Sequence, residues 1–249
     1  MHGNTWYVGT DGLSSILVET DAGLVLIDGG LPQSAELIDA NIRKLGFDPL
    51  DIKAILVSHA HFDHAGGVAA FQRLTGANVY TSEAGAGTVS SGRLGEGDPQ
   101  YIADSDAGSF PPIDSVTAVA NGKFVAVGSL NVKAVYTPGH TKGSVTWTWE
   151  SCALNTCYNV VYADSLTAVS APGFSFGSSG AAQRMIESAG IIADLDCDIL
   201  LSPHPFFFGM HDKLERREKG NPFVGDFGCT FYAETALGWL EQRLDAEGR

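Results

Sequence analysis

The alternation of apolar and polar positions predicts short strands at the start of the chain. Trp6-Tyr7-Val8, Ser15 to Glu19 and Leu24 to Ile27 are rich in β-branched and aromatic residues, and Asp-Gly and Ala-Gly turn signals separate them. The period changes after Asp28-Gly29-Gly30. From Gln33 to Leu45, the residues Leu37, Ile38, Ile42 and Leu45 fall on one face of a helix that Gly46 ends. Ile52 to Val57 is almost wholly apolar, which suits a strand covered on both faces. Ser58 to Gly67 reads as a loop, Val68 to Leu74 as a helix stopped by Gly76, and Asn78-Val79-Tyr80 as another strand. Such alternation is the mark of an α/β fold.

Gly85 to Pro112 is rich in Gly, Ser, Asp and Pro and predicts a long surface loop, a type that often carries function. Strand patterns resume at Phe124 and continue through Leu130 to Val135, Val145 to Trp149 and Asn159 to Tyr162. A helix from Ala181 to Ala193, a strand at Ile199-Leu200-Leu201 and a helix from Thr230 to Leu244 close the chain. Strands followed by helices thus occur twice. The pattern predicts one domain over residues 1–249, built of two pseudo-repeated halves, 1–123 and 124–249.

Composition narrows the function. With 249 residues the chain can bury well over half of its unfolded surface without help from a metal or a disulfide. No apolar run approaches the ~18 residues of a membrane span, and the amino-terminal residues lack the basic-then-apolar order of a signal peptide. Asp and Glu number 29 against 15 Lys and Arg, a formal charge of −14 that repels nucleic acid. The basic cluster from Lys213 to Lys219, diluted by Glu215 and Glu218, reads as a solvated helix turn. Cys152, Cys157, Cys197 and Cys229 allow three disulfide pairings and contain no C-x-x-C pair. Pairing Cys152 with Cys157 would staple a short turn; four buried free thiols are the alternative. Bridges, if formed, place the protein outside the cytosol.

The chemistry concentrates in Ser58-His59-Ala60-His61-Phe62-Asp63-His64-Ala65-Gly66-Gly67. His59 and His61 alternate by two after an apolar strand and so point to one side. Asp63 and His64 follow a turn and reach a second point nearby. One loop therefore offers ligands to two metals, and imidazole with carboxylate is a donor set that zinc accepts. His140, in Thr137-Pro138-Gly139-His140-Thr141-Lys142-Gly143-Ser144, and His204, in Ser202-Pro203-His204-Pro205, each lie just beyond a strand. His2 and His211 lack such a setting and read as structural or surface residues.

Taken in order with Tyr162-Ala163-Asp164-Ser165-Leu166-Thr167, these motifs resemble those of the metallo-β-lactamases, and the likeness runs from Asn4 to about Ala246. The resemblance implies a four-layer αββα sandwich, two mixed sheets flanked by helices, with the site at the sheet edge. It implies two zinc ions, the first on His59, His61 and His140, the second on Asp63, His64 and His204. His59 in the first motif, and Ser165 where two subclasses carry a cysteine, are similar to class B, subclass 3. That subclass implies the bridges Cys152–Cys157 and Cys197–Cys229 and a periplasmic or secreted monomer with no membrane or nucleic-acid partner. Its members usually carry a segment ahead of Gly3 that helps wall the pocket, and this chain does not show it.

The implied activity is hydrolysis of penicillins, cephalosporins and carbapenems, conferring antibiotic resistance. A hydroxide shared by the zinc ions attacks the lactam carbonyl and Asp63 orients it. Ser165 and Thr167 hold the substrate carboxylate, and Gln100 and Tyr101, with the Phe206-Phe207-Phe208 run, wall the pocket. No Ser-x-x-Lys acylation motif is present. Lactonases and glyoxalase II-like thioesterases are the rival reading and would use Asp164 as a ligand between the metals. Asp164 is read here as a residue that orients a ligand.

Overall fold

A computed structural model describes residues 1–216, 218, 220–225 and 227–248. Its first sheet contains β1 (Thr5–Tyr7), β2 (Ile16–Thr20), β3 (Gly23–Ile27), β4 (Ile52–Leu56), β5 (Asn78–Ser82) and β6 (Val116–Val119), side by side in that order. The pairs are antiparallel as far as β3 and parallel from there to β6. The second sheet is β7 (Phe124–Val127), β8 (Leu130–Tyr136), β9 (Val145–Ala153), β10 (Thr156–Tyr162) and β11 (Ile199–Leu201); there only β10 and β11 run parallel.

The period of two builds the layers. Ile16, Val18, Val25 and Ile27 share a core with Val132, Ala134, Val145 and Trp147 of the second sheet. Leu17, Leu24 and Leu26 point the other way, into a core with Ile38, Ile42 and Phe71 on helices α1 (Ala35–Lys44), α2 (Phe62–Ala65) and α3 (Val68–Thr75) or beside them. Helices α4 (Ala86–Ser91), α5 (Ala181–Ala193), α6 (Met210–Glu215) and α7 (Gly228–Ala246) follow. Met185, Ala189, Tyr232 and Leu240 of α5 and α7 pack onto the second sheet, so the layers run helix, sheet, sheet, helix. Each fully buried side chain of Leu or Ile size contributes about 1.5–3 kcal/mol. No described helix is long and apolar enough to cross a membrane.

Several elements differ from the sequence reading. On α1 only Ile38 and Ile42 are buried, while Leu37 is 50% and Leu45 40% exposed, because one narrow stripe is enough to cover the sheet. The expected loop from Gly85 to Pro112 opens on α4, which Gly92 ends in the left-handed conformation. Strand β6 was not legible either, being a short edge strand with an exposed middle. β9 and β10 are longer than their apolar stretches and meet at the two-residue turn Leu154-Asn155, which sets Cys152 opposite Cys157. Those two cysteines form one disulfide, and Cys197–Cys229, joining the approach to β11 with the start of α7, forms the other. Of the basic cluster, Arg217 and Lys219 lie outside the described residues, and the Lys213 ammonium sits 5.6 Å from the Phe223 ring centre rather than free in solvent. The phenylalanine run forms a 3-10 turn with Phe207 and Phe208 buried and Phe206 62% exposed.

Candidate metal centre

The carboxyl ends of β3, β4, β10 and β11 and the loop after β8 meet at one edge of the sandwich. Direct bonds pin the two sheets there: Val145 N–H donates to Ser58 O at 2.9 Å and Trp147 Nε1–H to Val57 O at 3.3 Å. Asp28, left-handed at φ 58°, turns its carboxylate beneath the metal loop. It accepts from Ser58 N–H (2.8 Å), Ser58 Oγ–H (2.7 Å) and Tyr162 O–H (2.8 Å), one group thus tying both sheets. Close packing continues where the loop leaves the site, since a Cβ on Gly67 would stand 2.2 Å from Gly29 O. Gly139, at φ 148°, lets the chain reach His140 past Met185 of α5, whose Cγ would be 2.4 Å from a Cβ.

Every histidine of the first group has its outer nitrogen committed to an acceptor. His59 Nδ1–H donates to Asp164 Oδ1 at 2.7 Å, His61 Nε2–H to Asp98 Oδ1 at 3.1 Å, and His140 Nδ1–H to Thr167 O at 2.8 Å. Carboxylates and carbonyls only accept, so the inner nitrogens, His59 Nε2, His61 Nδ1 and His140 Nε2, carry lone pairs. These atoms lie within 4.8 Å of one another. His61 Nδ1 and His140 Nε2 are 3.1 Å apart, and buried His59 Nε2 has no hydrogen-bond partner. Two nitrogens bound tetrahedrally to one zinc stand about 3.3 Å apart. Converging lone pairs with no proton between them repel unless a cation sits among them, so the donors fit a metal.

Asp63, His64 and His204 make the adjoining group. Asp63 Oδ2 is 3.2 Å from His64 Nε2 and 3.7 Å from His204 Nε2. His204 Nδ1–H donates to Gly12 O at 3.3 Å, and His64 Nδ1 faces Asp28 Oδ2 at 3.8 Å. His59 and His140 are held well below the ordinary imidazole value by burial, then by neighbouring histidines. Both are therefore neutral at pH 7, the form that binds a metal. Burial also takes His204 down to about 4. Burial works against ionisation of Asp63, yet His64, His59 and His204 hold its carboxyl below the usual range. Burial lifts Asp28 to about 6 and raises Asp164.

The residues expected to touch substrate lie around these histidines. Gln100 Nε2–H is 3.3 Å from His61 Nδ1. Thr167 Oγ1 is 3.2 Å from His140 Nδ1, and Ser165 Oγ is buried without a partner. Tyr232 on α7 holds the same segment, donating to Asp164 O at 2.8 Å and accepting from Leu166 N–H at 3.0 Å. His2 and His211 lie apart, on Thr156 O and Asp11 O. Asp28, Tyr232 and Asp98 were missed in the sequence, where nothing local marks them.

The family model described as the metallo-β-lactamase superfamily matches residues 8–152. The Rm3 metallo-β-lactamase superposes at a TM-score of 0.95 with 43% identity, over 100% of this chain and 93% of its own. A subclass B3 metallo-β-lactamase from a soil metagenome library does so at 0.94 with 42% identity, over 99% and 94%. Among curated proteins, an N-acyl homoserine lactonase of a Bacillus species is 33% identical over 78 residues, 22% of this chain and 31% of its own. The chain thus spans about a third of that curated relative. Whole-length likeness at more than 40% identity, joined to a matching family model, shows that this chain belongs to the metallo-β-lactamase superfamily, alongside the subclass B3 enzymes.

Proposed function

We propose that this protein opens the β-lactam ring of penicillins, cephalosporins and carbapenems by zinc-dependent hydrolysis and so confers antibiotic resistance. The observation that carries the reading is the cluster of three proton-free histidine nitrogens beside a second donor group. His59, His61 and His140 would hold one zinc ion, and Asp63, His64 and His204 a second. Zinc bound there supplies an acidified water and positive charge against the negative charge that develops as the ring opens. Asp63, beside His64 and His204, would orient the attacking water and pass its proton to the departing lactam nitrogen. Thr167 keeps a hydroxyl proton to offer the substrate carboxylate, because His140 already donates to the Thr167 carbonyl. Ser165, buried without a partner, offers a second, and the Gln100 amide reaches the same edge.

The lactonase likeness favours a second reading, with Asp164 between the metals. Asp164 spends Oδ1 on His59, and its backbone is fixed by Thr146 Oγ1 at 3.1 Å and by Tyr232. That setting supports Asp164 as an orienting group and so favours the β-lactam reading. The two disulfides support a periplasmic or secreted setting, and the charge of −14 argues against nucleic acid; we propose a monomer. The test is hydrolysis of a chromogenic cephalosporin and a carbapenem by zinc-loaded protein, with a chelator and after zinc is restored. Turnover that follows the zinc supports the proposal. Inert lactams with rapid turnover of an acyl-homoserine lactone or an acylglutathione would replace it.

A further inference from the structure

Residues 92–110 form a closed loop over the metal edge. Phe110 N–H donates to Gly92 O at 2.9 Å, and Arg93 pairs with Asp106 at 2.7 Å. Inside this loop Asp98 turns toward the protein, its side chain 11% exposed. Oδ1 accepts from Gln100 N–H at 2.8 Å, and Tyr101 N–H donates to Asp98 O at 3.1 Å, so the carboxylate organises its own turn. The same carboxylate stands 3.1 and 3.3 Å from His61 Nε2. Pro99 O then accepts from Ala171 N–H at 2.8 Å, tying the loop to the stretch that carries Ser165 and Thr167.

We propose that Asp98 is a positioning residue, one that sets the His61 ring so that Nδ1 faces the metal and thereby couples the order of the 92–110 loop to metal binding. The inference rests on reading His59, His61 and His140 as a metal site. A neutral imidazole can keep its proton on either nitrogen, and only one choice leaves Nδ1 free to bind. An anionic acceptor on Nε2–H fixes that choice and makes the ring a better donor to the ion. His59 has Asp164 for this purpose and His140 has the Thr167 carbonyl, both on the second-sheet side. His61 takes its acceptor from the loop that also brings Gln100. Lifting that loop therefore withdraws the partner of a metal ligand, and a bound metal holds the loop down.

The test compares wild type with Asp98→Ala, Asp98→Asn and Ile102→Ala, each titrated with cobalt(II) against a competing chelator and followed by visible absorption. Hydrogen exchange of amides 95–101 is measured with and without the metal. Asp98→Ala should bind cobalt about 10- to 100-fold more weakly at one site and shift its absorption. Asp98→Asn, a neutral acceptor shared between Gln100 N–H and His61, should fall between. Ile102→Ala, an exposed change in the same loop, should stay close to wild type. Metal should slow exchange at 95–101 in wild type but not in Asp98→Ala. Unchanged cobalt affinity and spectrum in Asp98→Ala overturn the proposal, and so does an equal loss in Ile102→Ala, which would make the effect one of loop integrity. Wild type that takes up no cobalt overturns the metal reading and this inference together, and is told apart by that result alone.

Discussion

Single residues in this site matter mostly through the atoms they leave free. His59 is useful because Asp164 occupies its other nitrogen, in a place where neither side chain meets solvent. Asp164→Asn should lower zinc affinity and kcat/KM by about 10- to 100-fold, measured by chelator competition and lactam turnover; wild-type affinity would remove Asp164 from the metal site. Glu247, far from this edge, allows a pH prediction. Its carboxylate accepts from Ser175 Oγ–H, Phe176 N–H, Gly177 N–H and Arg243, which outweigh desolvation and bring it down to about 2. A folded value below the unfolded one stabilises the protein above the unfolded value, and the benefit fades as pH falls toward about 2. Glu247→Gln should cost on the order of 1 kcal/mol at pH 7, and the gap to wild type should close between about pH 4.5 and 2 in urea unfolding of metal-free protein. A gap that does not vary with pH would exclude this role. The histidines were legible because His59, His61, Asp63 and His64 are local in sequence. Asp98 was not, since it reaches His61 across 37 positions that only tertiary structure closes.

At the scale of elements, the strands and long helices follow from apolar periodicity, and the departures are the short polar pieces. After Ala86, the run Gly87-Thr88-Val89-Ser90-Ser91 holds only weak helix formers and one buried apolar side chain, so neither propensity nor pattern marks α4. The β9–β10 hairpin outruns its apolar core because cross-strand pairing, with a disulfide near the tip, continues into solvent. The two disulfides should contribute unequally. Cys197–Cys229 closes a separation of 32 residues and Cys152–Cys157 one of 5, which correspond to about 3–4 and about 2 kcal/mol of unfolded-chain entropy. The paired change Cys197→Ser with Cys229→Ser should therefore lower the unfolding midpoint more than Cys152→Ser with Cys157→Ser. The reverse order would mean that strain or residual unfolded structure dominates.

For the whole molecule, motif order and pattern pointed to the layered sandwich, while the union of its sheets at the metal edge needed coordinates. The proposed ligands come from the loop after β4 on one sheet and from the loops after β8 and β11 on the other. A metal bound there favours the folded state, so zinc at about 1,000 times its dissociation constant should add about 4 kcal/mol per site. Thermal unfolding with and without zinc checks this, and coincident midpoints would show that the ion does not brace the fold. The same placement would make the ion a stitch through the seam between the sheets. Surroundings that strip zinc would then silence the protein and loosen that seam in one act, and its survival against proteases would gauge how much zinc those surroundings leave.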